Sequence, residues 1–178
     1  MKQMRHSQRS IPTWLAWGMI ILGVILIVGF IYGIFLYKDI QETKEAGMVE
    51  AKQAVLKETD LTAITDITRF NGDESYFAVT GTKKDGTHKL VFVPVNRKTN
   101  DGFLVFETKN LVSKQAMQQD WIKNCDRCKL IDIIPAISGK EPLWEVTYTD
   151  HSGRHVLDYF SMNNGERVEQ LRFRRVFK

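Results

Sequence analysis

The hydrophobic positions along the chain fall into three regimes. Residues 14–37 are twenty-four consecutive uncharged residues rich in Ile, Leu, Val, Gly and aromatics, more than the roughly 20 that carry a helix across a bilayer core. This run predicts a membrane-spanning helix. Residues 38 to about 58 read as a helix with few breakers, apolar at Ile40, Val49, Ala51, Ala54, Val55 and Leu56 at helical spacing. It is expected to continue the spanning helix outward, with Gly47 as a weak point. From Leu61 the texture changes to β-branched and aromatic residues punctuated by Asn71-Gly72, Asp85-Gly86 and Asp101-Gly102. Turn signals of that kind between apolar runs predict strands, placed over 61–70, 75–83 and 87–97, with a short one at 103–106. Pro94 lacks the N–H that a ladder needs, which predicts an edge or a bulge.

The same succession then recurs. Ser113 is positioned to cap a second helix reaching about residue 124, with Ala116, Met117, Trp121 and Ile122 as its buried side. Strands follow over 129–137, 143–150, 154–161 and 166–177, with turns at Ser152-Gly153 and Asn164-Gly165. An offset of 67 superposes the halves without a gap. Identities fall at Ile64/Ile131, Ile67/Ile134, Gly72/Gly139, Glu74/Glu141, Val79/Val146, Thr80/Thr147, Gly86/Gly153, His88/His155, Leu90/Leu157 and Asn96/Asn163. Ordinary residue frequencies would give about two in that window. The part after the span therefore reads as two tandem copies, each a helix packed on an antiparallel sheet of three or four strands, in the α+β class.

Charge sets the orientation. The tail before the span holds Lys2, Arg5 and Arg9 without an acid, whereas Lys38, Asp39, Glu42, Lys44 and Glu45 mix signs just after it. Lys and Arg bias places the N-terminus in the cytoplasm and the rest of the chain outside. Pro12 suits a first helical turn, and Trp14 and Trp17, then Tyr32 and Tyr37, approach the two interfaces. A cleaved signal peptide has an apolar core of about 7–15 residues ending at a small-x-small site, which residues 33–38 do not offer, so the span is expected to be retained. Gly29 and Gly33 form a Gly-x-x-x-Gly pair, for which close helix approach competes with ordinary glycine usage. The chain has 25 basic residues, three of them in the tail; the remaining 22 meet 21 acids. A net of +1 outside the tail is no nucleic-acid footprint.

Candidate chemistry is sparse. Cys125 and Cys128 form a Cys-x-x-Cys after a helical stretch, the opposite end from the helix N-terminus that activates a redox thiol. Zinc would need two more ligands, and His151 and His155 lie farther along than finger spacing allows. The repeat also makes His155 the counterpart of His88. A local disulfide suits an oxidising exterior, and two unpaired thiols remain the other alternative. No nucleophile–base set, metal motif or phosphate-binding glycine loop occurs, so neither catalysis nor a cofactor is expected.

Two surface features stand out. The end of the chain, Leu171-Arg172-Phe173-Arg174-Arg175-Val176-Phe177-Lys178, carries four positive charges in eight residues. Arg172, Arg174 and Arg175 are candidates to meet an anionic wall polymer or lipid headgroups; the plainer reading is a terminal strand with Leu171 and Phe173 inward. Leu143-Trp144-Glu145-Val146-Thr147-Tyr148 alternates, with Trp144, Val146 and Tyr148 on the face expected to enter the core.

The span running into a helix, Phe70-Asn71-Gly72-Asp73-Glu74-Ser75-Tyr76 leading into a strand, and Pro142-Leu143-Trp144-Glu145-Val146-Thr147-Tyr148 together make the chain resemble the TseB/YpmB group of cell wall elongation regulators of Gram-positive bacteria. Cys125 and Cys128 are not part of that pattern. The resemblance implies two cystatin-like domains, similar to those of PepSY proteins, at residues 38–110 and 111–178 behind a tail at 1–13 and a span at 14–37. It also implies a membrane-anchored protein of the outer face that acts with a penicillin-binding protein or another wall-synthesis membrane protein. A binding module for wall polymer or lipid is the alternative, followed by a PepSY-like protease inhibitor or chaperone.

Overall fold

The structure, a computed structural model, describes residues 13–96 and 102–174. The basic tail with Lys2, Arg5, Arg9 and Pro12, the Asp101 turn position and Arg175 lie outside the described residues. The chain divides into two units, Met1–Ala46 and Gly47–Lys178.

In the first unit the uncharged run forms most of helix α1 (Thr13–Glu58). Within α1, Trp17–Tyr37 is long and apolar enough to cross a membrane, about 31 Å at 1.5 Å per residue. Its large side chains, Phe30 and Phe35 among them, are exposed along the whole stretch. A continuous apolar surface of that size is unfavourable in water and suits a hydrocarbon solvent.

The second unit holds the last turns of α1, two four-stranded antiparallel sheets and helix α2. The first sheet runs in the order β1 (Leu61–Asn71), β2 (Ser75–Lys83), β3 (His88–Pro94) and β4 (Leu104–Glu107). The second runs β5 (Lys129–Ser138), β6 (Glu141–Thr149), β7 (His155–Ser161) and β8 (Arg167–Phe173). Consecutive strands pair antiparallel because connections of two to five residues join them, apart from the nine residues between β3 and β4. Two of those turns share one hydrogen-bond pattern: Lys83 N–H donates to Thr87 O and Gly86 N–H to Lys83 O, and 67 residues on Asp150 donates to Arg154 and Gly153 to Asp150. Gly86 and Gly153 both hold positive φ, 82° and 75°, which side chains with a Cβ resist.

Pairing of Phe77 with Val93 and Val79 with Val91 aligns four apolar side chains on one face of the first sheet. That face closes over Ala51 and Val55 of α1. Each such side chain contributes about 1.5–3 kcal/mol when fully removed from water. Val49 and Leu56, expected on the buried side, are exposed, because Ala51, Ala54 and Val55, with Met48 partly buried beside them, form the contacting stripe. The side chain of Ile40 is outside the described residues.

The other face of the first sheet is buried as well. Phe70, Tyr76 and Phe92 belong to one apolar cluster with Trp121, Ile133, Leu143, Trp144 and Tyr148 of the second half. Burial on both faces explains the near-continuous apolar runs of β2 and β3. Pro94 sits neither at an edge strand nor at a bulge. It is the last residue of central strand β3, past the Leu104–Phe92 pair that ends the β4 ladder, so its missing N–H leaves no gap.

Helix α2 (Lys114–Asn124) starts where Ser113 accepts a hydrogen bond from the Ala116 N–H at 3.2 Å. Met117 and Trp121, four residues apart on one side, are buried, whereas Ala116 and Ile122 are exposed. Each of those two lies one residue, about 100° round the helix, from its buried neighbour, and a helix this short buries a single narrow stripe. Trp121 meets the Tyr148 ring edge-on at 5.2 Å, and Trp144 Nε1–H donates to Val112 O at 2.8 Å, tying the lead-in of α2 to β6.

Candidate functional site

Strand β8 is the outermost of the second sheet, and its alternation divides two surfaces. Gln170 pairs with Asp158 and Arg172 with Val156, which places them on the side of the sheet that α2 covers. Glu169 pairs with Tyr159, Leu171 with Leu157 and Phe173 with His155, on the opposite side.

On the α2 side, Asp158 has no exposed surface. Tyr148 Oη donates to its Oδ2 at 3.0 Å, Arg167 Nη2 lies 3.3 Å from the same oxygen, and Gln170 Nε2 donates to Tyr148 Oη at 3.3 Å. Burial, then the hydrogen bond to Asp158, push the Tyr148 phenol up to about 12. At the β6–β7 turn, Arg154 Nε meets Asp150 Oδ2 at 2.6 Å. Burial pushes the Asp150 carboxyl up, but hydrogen bonds from the Arg154 backbone and guanidinium and from the Ser152 N–H outweigh it and hold it below the usual carboxylate value. Beside these groups, directly after α2, Cys125 and Cys128 are joined in a disulfide with Cα atoms 5.6 Å apart. Between them Arg127 adopts φ 55°. These residues border a pocket of about 460 Å³.

The opposite side carries a groove of about 930 Å³. Phe70, Tyr76 and Leu104 form one wall, and Leu143, Leu157 and Leu171 the other. Among the described residues its charged lining is Asp73, Glu74 and Glu169 against Lys140. Tyr159 Oη, in the floor, donates to Glu145 Oε2 at 2.7 Å; burial, then that bond, raise its phenol far above the usual value. Leu171 and Phe173 do not point inward, as the terminal-strand reading expects. They are 37% and 52% exposed, and Val168 is 54% exposed. The polar side of β8 instead faces the α2 side, where Asp158 and Tyr148 take Arg167 and Gln170.

The candidate residues separate accordingly. Arg172 lines the smaller pocket with both cysteines. Arg174 is exposed and is not among the residues of that pocket; Arg175 is outside the described residues. Among the described residues no group of three His, Cys, Asp or Glu side chains is arranged to hold a metal ion. Inspection of the sequence alone missed Arg127, Arg154, Arg167 and Asp158 on one side and Leu157, Tyr159, Val168 and Glu169 on the other. The alternation Glu169-Gln170-Leu171-Arg172-Phe173 was the available signal; Arg167 and Val168 depart from it, because a register shift opposite Tyr159 and Phe160 turns Arg167 to the Gln170 side and Val168 to the Glu169 side.

Known proteins match over most of the chain. Residues 50–94, from the end of α1 through β3, match the family model described as the cell wall elongation regulator TseB-like domain. The chain is 30% identical over 152 residues to the probable cell wall elongation regulator TseB of Bacillus subtilis (strain 168), a match covering 85% of this chain and 93% of that protein. Among solved structures it is similar to the YpmB protein from Bacillus subtilis, with a TM-score of 0.59 and 32% identity over 72% of this chain and 95% of that one.

Proposed function

Since the chain belongs to the TseB-like family of cell wall elongation regulators, we propose that it binds and modulates a penicillin-binding transpeptidase from the outer face of the membrane. In this reading α1 is a retained single-pass anchor with the basic tail in the cytoplasm. Residues 38–110 and 111–178 act outside as two cystatin-like domains, and the protein performs no catalysis of its own.

The observation that carries this reading is the apolar strip of Val168, Leu171 and Phe173 at the free edge of the second sheet, beside the 930 Å³ groove. An exposed apolar strip on an edge strand is a liability that monomeric proteins avoid and that a docked partner covers. Three acids against one lysine along the groove favour a partner segment carrying Lys or Arg between apolar anchors. They also disfavour a second copy of this chain, which would bring like charges together.

In-cell crosslinking of the full-length protein, followed by identification of what it carries, tests the reading. A penicillin-binding transpeptidase is expected among the products, retained when the span is exchanged for an unrelated one and lost when residues 38–178 are removed. Recovery of no wall-synthesis protein by the intact chain overturns the reading.

A further inference from the structure

The Cys-x-x-Cys loop and the arginines beside it have no part in that reading, and they lie on the opposite face of the sheet from the groove. We propose that the 460 Å³ pocket is an anion site for a phosphodiester group, completed by an arginine that the Cys125–Cys128 bridge holds in place.

Four arginines from three separate segments line it: Arg127 from the bridged loop, Arg154 from the β6–β7 turn, and Arg167 and Arg172 from β8. Two are fixed before any ligand arrives. Arg154 is held by Asp150 at 2.6 Å. Arg167 is held by Asp158 at 3.3 Å, with its guanidinium carbon 5.5 Å from the Phe160 ring centre. A guanidinium has five N–H donors, so each keeps donors beyond those its acid takes. Arg172 has no ion pair or hydrogen bond among the described residues. Arg127 meets only its neighbour Asp126 at 3.3 Å, and both side chains are largely exposed, a pairing that water and salt leave weak.

The charges decide what fits. Among the described residues, Asp126 and Asp150 line the pocket and Asp158 is bonded to Tyr148 and Arg167 of its lining, so four arginines face three acids and one positive charge is left over. A phosphodiester, with one negative charge, matches that surplus. Guanidiniums approaching from three segments match a tetrahedral group, which offers acceptors in several directions; a planar carboxylate is satisfied by one fork.

The bridge has a defined role here. Arg127 holds a positive φ of 55°, a left-handed conformation that a residue with a Cβ disfavours. Closing the ring through Cys125 and Cys128 keeps the loop, and with it the Arg127 side chain, at the pocket rim. The first half has Glu58 and Leu61 at the equivalent positions, so the repeat gives it no such loop.

The full-length protein in phosphate-free dodecyl maltoside micelles is titrated with soluble poly(glycerol phosphate) and, separately, with dihexanoyl-phosphatidylglycerol at low salt. Saturable binding is expected, weakened at least ten-fold by Arg172→Gln and by Arg127→Gln, and unchanged by Lys140→Gln on the other face. The paired Cys125→Ser and Cys128→Ser substitution should weaken it at least three-fold. Binding of the polymer alone assigns a wall polymer as the source of the phosphodiester, and binding of the lipid alone assigns a headgroup. Binding of neither, or equal binding by Arg172→Gln and the unaltered protein, overturns the site. Equal binding by the paired serine variant overturns the role of the bridge. Neither result bears on transpeptidase docking, which is read separately by crosslinking.

Discussion

Tyr148 and Asp158 lie diagonally across β6 and β7, the phenol donating to Asp158 Oδ2 at 3.0 Å where the carboxylate has no exposed surface. Arg167 supplies the balancing charge at 3.3 Å. A buried carboxylate is tolerated only while such partners remain, and removing one member strands the others. Asp158→Ala is therefore expected to lower unfolding stability by about 2–4 kcal/mol, since it leaves a buried hydroxyl without its acceptor and opens a void. Pairing Asp158→Leu with Tyr148→Phe should cost less than the two separate losses added together. Urea unfolding of the unaltered protein, Asp158→Ala, the two single variants and their combination measures both quantities, and Asp158→Ala within 0.5 kcal/mol of the unaltered protein would contradict the assignment.

The same pair makes stability fall at high pH. The Tyr148 phenol is raised to about 12 by burial and by Asp158, whereas in an unfolded chain it titrates near 10. The folded state thus holds its proton more tightly, and the stabilisation is fully present below about pH 10 and lost as pH rises towards 12. Denaturation midpoints taken between pH 9 and pH 12 should decline in the unaltered protein and decline less in Tyr148→Phe. Identical slopes would show that Tyr148 does not carry the effect.

Much of this architecture is legible in the amino-acid sequence, for reasons particular residues make plain. The uncharged run forms a helix long and apolar enough to cross a membrane, as its length and composition require. Ser113 has a helix N-terminus to cap, and an offset of 67 carries Gly86 onto Gly153 along with the hydrogen bonds of their turns. From Glu169 to Phe173 alternation shows which side chains of β8 share a face but not which face is covered, and the register shift opposite Tyr159 and Phe160 brings Arg167 to the Gln170 side against it. Leu171 and Phe173 therefore read as inward, although the polar network around Asp158 claims the other face for Arg167 and Gln170. Arg172 stood out in the sequence, but its meeting with the other pocket arginines was hidden for a related reason. Arg127, Arg154 and Arg172 are 27 and 18 residues apart in the chain, and only the strand order of the second sheet brings them together.

Gly47 separates helix propensity from packing. Propensity alone favours Gly47→Ala by about 1 kcal/mol. A Cβ there would lie 3.1 Å from Phe77 Cζ, and Phe77 is only 5% exposed within the core under α1, so its ring has little room to give. Gly47→Ala is expected to gain none of that stability and to lose about 1 kcal/mol by overpacking. Adding Phe77→Leu should recover part of the loss. Urea midpoints decide it: a stabilised Gly47→Ala would mean that the ring yields.

Val168 tests the docking face without disturbing the fold. Its side chain is 54% exposed at the sheet edge, so Val168→Asp should change unfolding stability by no more than about 0.5 kcal/mol. If a synthase segment seats apolar anchors beside Leu171, a carboxylate placed there is desolvated on docking without a partner, and crosslinking yield should fall several-fold. Glu169→Lys removes an acid from the groove and should also reduce the yield, more at low salt than at high salt, because the charges it acts through are screened. An apolar anchor carries no such dependence, so the loss caused by Val168→Asp should persist at both. Undiminished crosslinking in both variants would move the contact away from this edge, leaving the exposed strip of β8 to be covered by something other than the synthase.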